Sequence, residues 1–266
     1  MRLKLLLSAN NSGKIALNYN YSLSSAIYKL LHFGSPEFSQ FLHNIGYNSN
    51  DKIYKLFTFS LKFESTRLVS DYLQLNSPLA YLYISSPLID DFIKNFLVGS
   101  FEGKSFELYA EFIKTEFTIK EIELIPEPEF NDRNKFSLMS PLVLSTHAPY
   151  NNKNSQYYLR ISDDIKIINQ IFNNNLINKY SIVTGKDYTG PGVELNWDDE
   201  YISEANKKNK RLSKKVSIIK DYDSPIHIVG IFCPFYLTGD IELMKIGYES
   251  GFGEKNSMGF GMTFKD

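Results

Sequence analysis

Apolar and polar positions alternate from Arg2 to Leu7, which predicts a short opening strand, and Asn10, Asn11, Ser12 and Gly13 spell a turn after it. The spacing then becomes helical. Leu23, Ala26, Ile27, Leu30 and Leu31 recur at three- and four-residue intervals behind Ser22, a residue suited to cap the helix, and Gly34 stops it. Ser35-Pro36 opens a second short helix whose stripe is Phe38, Phe41, Leu42 and Ile45, ended by Gly46. The run YKLFTFSLKF (54–63) returns to a period of two, with Phe57, Phe59, Leu61 and Phe63 on one face of a strand. Residues 81–86 read as another strand, Leu88 to Leu97 as a helix ended near Gly99, and 106–125 as strand again. The order β, helical region, β, β, α, β is that of a ferredoxin-like unit.

Pro126 and Pro128 mark a junction, and the same order then repeats without repeating the residues. The run 136–146 predicts a strand. Ser162 is placed to cap a helix with the stripe Ile165, Ile168, Phe172 and Leu176, and Asp163 and Asp164 lie in its first turn. VSIIKDY (216–222) and IHIVGIFCPFYL (227–237 within it) predict a hairpin-like pair, Asp240 to Ile246 a short helix, and a last strand closes the chain. The predicted fold class is α+β: two tandem ferredoxin-like (RRM-like) βαββαβ domains over 1–128 and 129–266.

The chain has 266 residues, 43% hydrophobic and 22% charged, which fits a folded globular protein and excludes wholesale disorder, collagen and coiled coil. No run of about 18 apolar residues is present, and the apolar run near the N-terminus is too short for a signal-peptide core. The cytoplasm is the expected compartment, and no membrane partner is expected. Cys233, the single cysteine, excludes an internal disulfide and a multi-cysteine zinc site. His32, His43, His147 and His227 form no metal-ligand spacing, so no metal or cofactor is expected. Lys and Arg number 29 against 30 Asp and Glu. Non-specific nucleic-acid coats show a basic excess, so any such partner here must be held by a local patch.

One such patch is KKNKRLSKK (207–215), with Lys207, Lys208, Lys210, Arg211, Lys214 and Lys215 and no acid among them. By itself it reads equally well as a solvated loop leading into a strand. The densest glycine region is GYESGFGEKNSMGFGMTF (247–264). It lacks the Gly-Lys-Ser/Thr of a nucleotide-hydrolase phosphate loop. It also lacks the third glycine of a dinucleotide fingerprint, Asn256 standing in its place. Two readings stay open. One is a nest in which Gly251, Gly253, Gly259 and Gly261 turn backbone N–H groups towards phosphate, with Lys255 adding charge. The other is a plain glycine-rich turn before a terminal strand.

Three side chains stand out by position. His43 lies off the apolar stripe of the second helix, and Tyr28 off that of the first, so each faces solvent or a ligand. Lys55 shares the parity of Phe57 and Phe59, which puts a cation at the rim of a core face, where a snorkelling lysine is the ordinary occupant. A lone surface His or Tyr is usually an ordinary solvated side chain. Trp197 reads as core or domain packing, and nothing assigns a role to His147.

The glycine-rich string, with its spacing G-x-G-x-x-x-S-x-G-F-G near the C-terminus, resembles that of the CRISPR-associated repeat-processing endoribonucleases, the sixth Cas family, in the RAMP superfamily. SAIYKLL (25–31), FLHNIGY (41–47), YKLFTFS (54–60) and MSPLVLS (139–145) look like successive blocks of that family in the same order, so the resemblance covers the whole chain. It implies two ferredoxin-like domains and a metal-independent endoribonuclease that cleaves precursor RNA within the CRISPR repeat by attack of a 2′-hydroxyl, leaving a 2′,3′-cyclic phosphate and a 5′-hydroxyl. Tyr28, His43 and Lys55 match the family's catalytic positions. Imidazole can move a proton near neutral pH, an ammonium can stabilise the phosphorane, and a phenol can orient the nucleophile or pass a proton. His32, four residues after Tyr28 on the same helix face, is a second proton-donor candidate. The basic run and the glycine-rich loop are implied to contact the repeat RNA. A non-catalytic RAMP-type RNA-binding subunit of a multi-subunit CRISPR effector complex is the alternative, and a ferredoxin-like module that binds no RNA is a third reading. The oligomeric state is open, a homodimer included.

Overall fold

The computed structural model describes residues 1–10, 13–150, 153–218 and 225–266. Leu3, Leu5 and Leu7 alternate along the strand Arg2–Ala9 and point into the first core. That strand is the middle of a five-stranded sheet in the order Thr58–Phe63, Leu79–Ser85, Arg2–Ala9, Ile113–Ile125, Ser105–Ala110. Every neighbouring pair is antiparallel. Helices α1 (Asn20–Gly34) and α3 (Lys94–Gly103) pack on one face through Leu23, Ile27, Leu30 and Phe96, with α2 (Pro36–Asn44) between them in sequence. Leaving aside the added edge strand Ser105–Ala110, the order is second, third, first, fourth: a ferredoxin-like unit.

The second half repeats this topology. Its sheet runs Val193–Trp197, Phe235–Gly239, Arg133–Leu138, Thr263–Lys265. Helices α4 (Ile165–Thr184) and α6 (Ile241–Ser250) cover one face, while α5 (Asp199–Lys207) follows the strand Val193–Trp197. Phe136, Phe172, Phe235 and Phe252 pack ring against ring at centroid distances of 5.1 to 6.1 Å. Each ring contributes about 1.5–3 kcal/mol by leaving water, plus about 0.5–1.5 kcal/mol per ring pair. The first sheet ends at Ile125 and the second begins at Arg133, with Pro126 and Pro128 in between. Among the described residues no helix is long and apolar enough to cross a membrane.

Buried polar contacts tie the halves together. Arg2, 2% exposed, donates to the carbonyls of Thr263 and Tyr248, and its guanidinium lies 3.8 Å from the centre of the Tyr248 ring. Burial pushes the Arg2 pKa down to about 10, against the opposing pull of Tyr248 and Glu249. Thr58 Oγ1 donates to the Phe260 carbonyl at 2.9 Å, and Ser60 Oγ to that of Met139 at 3.1 Å.

Several expected elements differ. The strand over 54–63 is split: Leu56 adopts φ +52°, so Lys52–Tyr54 belongs to a small hairpin and the sheet strand starts at Thr58. Lys55 therefore shares no strand parity with Phe57 and Phe59. The run 136–146 also splits, into Arg133–Leu138 in the sheet and Ser145–Tyr150 in a separate hairpin with Lys153–Tyr158. The expected helix over 88–97 begins as a wider turn at Ile89–Ile93 and continues as α3 to Gly103. The largest correction concerns the second sheet. Its inner hairpin is not 216–222 with 227–237. Val193–Trp197 and Phe235–Gly239 take those places, while Ser213–Ile218 and Ile226–Ile231 form a hairpin of their own. Helix α4 holds Val193–Trp197 in place, its Asn169 and Asn173 side chains bonding the backbone of Leu195 and Val193. Residues 219–222 of the predicted strand lie outside the described residues, as do Asn11 and Ser12 of the predicted turn. Two caps also move. Asp164, not Ser162, accepts from Lys166 N at the start of α4. Ser22 lies inside α1 and accepts from Tyr109 N. Ser35 caps α2 as expected, accepting from Phe38 N at 3.2 Å.

Candidate active site

Helix α1 turns into α2 at Ser35, and Ser39 Oγ of α2 donates back to the Tyr28 carbonyl at 3.0 Å. This fold-back sets the exposed faces of the two helices side by side. The Tyr28 ring stands edge-on to the His43 ring, 5.2 Å between centroids, and edge-on to the buried Phe57 at 5.7 Å. Lys55, in the irregular stretch before Thr58, reaches back and donates from Nζ to the His43 carbonyl at 3.0 Å. Tyr28, His43 and Lys55 are thus one cluster. Tyr28 and His43 border an open groove of about 540 Å³ between α1 and α2, also lined by His32, Gln40 and Asn44.

The electrostatics separate the roles each group can take. Burial disfavours the phenolate and raises the Tyr28 pKa well above its ordinary value, a hydrogen bond with the Ser257 side chain offsetting part of this. Tyr28 is therefore a proton donor at neutral pH. His43 is exposed, and its Nδ1 lies 2.8 Å from Asn44 Oδ1, an acceptor, so Nδ1 carries the hydrogen and the neutral ring keeps its lone pair on Nε2. Partial burial lowers the Lys55 pKa.

The glycine-rich loop after α6 is turned inward. Gly251, Gly253, Gly259 and Gly261 are all buried, each with positive φ. A Cβ on Gly261 would run into the Phe252 carbonyl, and one on Gly259 would come within 2.6 Å of the Phe59 ring. The N–H groups of Phe252, Glu254, Gly259 and Gly261 go to the carbonyls of Gly261, Val143, Asn256 and Pro141. Of the four glycines, Gly259 and Gly261 thus spend their N–H groups on the carbonyls of Asn256 and Pro141 and hold the loop and its neighbours together. What it presents to α1 is the turn after Lys255. Ser24 Oγ donates to the Ser257 carbonyl at 2.7 Å, Asn20 Nδ2 to that of Met258 at 3.0 Å, and the Ser257 side chain meets the Tyr28 hydroxyl. Lys255 is half-buried beside this turn.

The basic run spans three elements: Lys207 ends α5, Lys208 to Arg211 form the turn, and Lys214 and Lys215 lie on the strand Ser213–Ile218. Arg211 and Lys214 line a cleft of about 400 Å³ between the halves, together with Tyr19, Asn20, Ser60 and Gly259. Lys210 Nζ instead donates to the Tyr201 hydroxyl at 2.8 Å, and Lys208 pairs with Glu204 at 3.4 Å. The cleft opens at the start of α1, and Tyr28 lies about 12 Å further along that helix at 1.5 Å per residue.

One group escaped the sequence reading. On the face of the first sheet away from its core, Lys4 lies over Tyr81 at 5.5 Å, and Lys62 lies 4.5 Å from the centre of the Phe264 ring, which Tyr83 meets edge-on. The signal was present in YLYI, where Tyr81 and Tyr83 take the parity opposite to Leu82 and Ile84. Phe264 joins only because the second half folds against the first. Elsewhere, Trp197 meets Phe235 edge-on at 6.2 Å in the second core, as expected, and His147 is exposed. Burial pushes the Cys233 thiol up to about 12, which leaves it protonated and unreactive. Among the described residues no group of three His, Cys, Asp or Glu side chains is placed to hold a metal.

Two ferredoxin-like units in tandem, with a C-terminal glycine-rich loop pressed against the first helix, define the class of the fold, a tandem ferredoxin-like α+β protein. Family models described as "CRISPR associated protein Cas6, C-terminal" and "CRISPR-associated protein Cas6, N-terminal" match residues 125–264 and 14–123. The chain is 31% identical to the CRISPR-associated endoribonuclease Cas6 1 of Methanocaldococcus jannaschii, over 99% of this chain and 92% of that protein. A solved structure described as CRISPR associated protein Cas6 superposes with a TM-score of 0.75 at 30% identity, covering 100% of this chain and 99% of the other. Another, described as a RAMP protein binding different RNA substrates, shares the fold with a TM-score of 0.78 at 23% identity, covering 100% and 99%. The chain belongs to the Cas6 family of CRISPR-associated proteins.

Proposed function

We propose that this chain is an endoribonuclease that cuts CRISPR precursor RNA within the repeat, residues 1–128 carrying the reacting groups and 129–266 much of the RNA grip. The observation that carries this reading is the cluster itself. A proton-accepting imidazole, a phenol held neutral and an ammonium converge beside an open groove. In the reaction the 2′-oxygen attacks the adjacent phosphorus while His43 Nε2 takes its proton. The bond from phosphorus to the 5′-oxygen breaks, and that oxygen takes a proton from the Tyr28 hydroxyl. A 2′,3′-cyclic phosphate and a 5′-hydroxyl result. Lys55 spends one of its three N–H donors on the His43 carbonyl, and the other two are available to a phosphorane oxygen. None of these steps needs a metal.

The RNA path in this reading uses the same geometry. Backbone phosphates meet Arg211 and Lys214 in the cleft and then track α1 and the Lys255–Ser257 turn to Tyr28. Bases stack on Tyr81, Tyr83 and Phe264, a sequence-tolerant mode suited to single strands.

A repeat RNA carrying a bridging 5′-sulfur at the cut site tests the roles, because a thiolate leaves without a proton. Tyr28→Phe is expected to be slow on the normal RNA and rescued by the sulfur. His43→Ala is expected to be slow on both, by about 10²–10⁴ on the normal RNA. Rescue of the His43 variant alone would exchange the two roles. RNA that is bound but never cut by the parent protein would return the chain to the reading of a non-catalytic RAMP subunit.

A further inference from the structure

The apolar stripe of α4, Ile168, Phe172 and Leu176, continues on the same face into Lys179. Lys179 is 1% exposed. Its Nζ donates to the carbonyls of Gly251 at 2.6 Å and Gly253 at 2.8 Å and to Asn256 Oδ1 at 2.8 Å. An ammonium has three N–H donors, and these three oxygens use them all. All three partners are neutral, and Glu254 acts on the charge only as a further attraction. Burial drives the Lys179 pKa down to about 7, while three oxygen acceptors favour the charged form, since a neutral amine would leave one of them facing a lone pair. A buried charge without a carboxylate partner carries a desolvation cost that an apolar side chain would avoid, so its presence here points to the loop it holds.

That loop leads directly to the candidate site. Asn256 Nδ2 donates to the carbonyls of Phe252 and Phe260, both at 3.0 Å, so one amide joins the two arms of the loop while its oxygen meets Lys179. The next residue, Ser257, accepts through its carbonyl from Ser24 Oγ at 2.7 Å, one helical turn before Tyr28, and its side chain acts on the Tyr28 hydroxyl. The neighbour of Lys179 supports the other wall: Asn178 Nδ2 donates to the Tyr54 hydroxyl at 3.0 Å, one residue before Lys55.

We propose that Lys179 is a positioning residue for RNA cleavage: its ammonium gathers three oxygens of the glycine-rich loop and so fixes the Ser257 turn against α1 beside Tyr28. This rests on the reading of Tyr28 as a member of the reacting cluster. The test is single-turnover cleavage of a repeat RNA at saturating protein, with affinity measured separately. Lys179→Met and Ser257→Ala are each expected to slow cleavage tenfold or more while affinity stays within threefold. The double variant is expected to be no slower than the slower single one. Parent-like cleavage by Lys179→Met, or losses that multiply in the double variant, overturns the proposal. Tyr28→Phe run alongside separates the two ideas: a slow Tyr28→Phe with a parent-like Lys179→Met removes the role of Lys179 alone, whereas a parent-like Tyr28→Phe removes the site reading and the proposal with it. Should Lys179→Met not fold, the Nζ resonance of the parent protein decides by ¹⁵N NMR. An ammonium at the pH of cleavage supports the proposal, and a neutral amine there overturns it.

Discussion

Replacing Arg211 and Lys214 together by Ala should flatten the salt dependence of RNA binding by about 1.4 units in a plot of log affinity against log salt. The number follows from which members of the basic run reach the cleft. Arg211 and Lys214 line it, whereas Lys210 is spent on the Tyr201 hydroxyl and Lys208 on Glu204. Each phosphate contact to single-stranded RNA contributes a slope of about 0.7 through counterion release, so two contribute about 1.4. At ~0.15 M salt each contact is then worth about 0.6 log unit, and the double variant should bind about 15-fold more weakly. Fluorescence anisotropy with a labelled repeat RNA, titrated at several salt concentrations, measures slope and affinity together. The loss should be equal for cognate repeat and unrelated RNA, because phosphate contacts carry no sequence information directly. Lys215→Ala is the control: Lys215 is one residue along the same strand and so faces away from Lys214. A double variant with the slope of the parent, or a Lys215 variant with an equally flattened one, would refute the assignment of the cleft as the phosphate track.

The remaining expectations concern chemistry and folding. A 2′-deoxy sugar immediately 5′ of the cut should abolish cleavage, while chelation with EDTA should leave the rate unchanged; inhibition by EDTA relieved by a divalent ion would point to metal-activated water instead. Gly261→Ala forces a side chain into φ +73° and into the Phe252 carbonyl, and should lower the unfolding free energy in urea by at least about 2 kcal/mol, whereas Gly185→Ala, which meets nothing within 4 Å, should cost only the backbone term of about 1 kcal/mol. Asp198 caps α5 by accepting from Tyr201 N and pairs with Lys135 at 2.7 Å. Burial opposes its charge, but these partners outweigh burial and hold its pKa below the ordinary 3.8, so its contribution is present above about pH 4 and fades as pH falls through the lower folded value. Asp198→Ala should therefore cost about 1–2 kcal/mol at pH 7 and progressively less in acid, as read from urea unfolding across pH.

Local pattern was sufficient for the elements whose apolar stripe has one interpretation. The stripe of α1, the cap at Ser35 and the alternation of Leu3, Leu5 and Leu7 all stand as the chain spells them, whereas the stripe of α2 is cut short: Leu42 is buried and Phe38 and Phe41 pack partly against the core, but the helix ends at Asn44 and Ile45 is exposed. His43 lies off its stripe because an exposed side chain needs no tertiary partner. The sequence by itself determined the doubled βαββαβ order, whereas Tyr28, His43 and Lys55 stand out in it singly, are grouped only by the family resemblance, and meet in space through tertiary structure. Tertiary structure decided which strands complete the second sheet: the sequence pattern predicts no strand at Val193–Trp197, which α4 holds there through Asn169 and Asn173, while Ser213–Ile218 pairs in a hairpin of its own. It also decided the work of the glycines. A glycine-rich string specifies that positive φ and close approach are allowed, but not whether the N–H groups face a ligand or a carbonyl, and here the partners come from Pro141 and Val143, more than a hundred residues away. Lys179 shows the same limit from the other side. In sequence it interrupts an apolar stripe, and only the three oxygens brought to it by a loop some 70 residues later make a buried ammonium stable there.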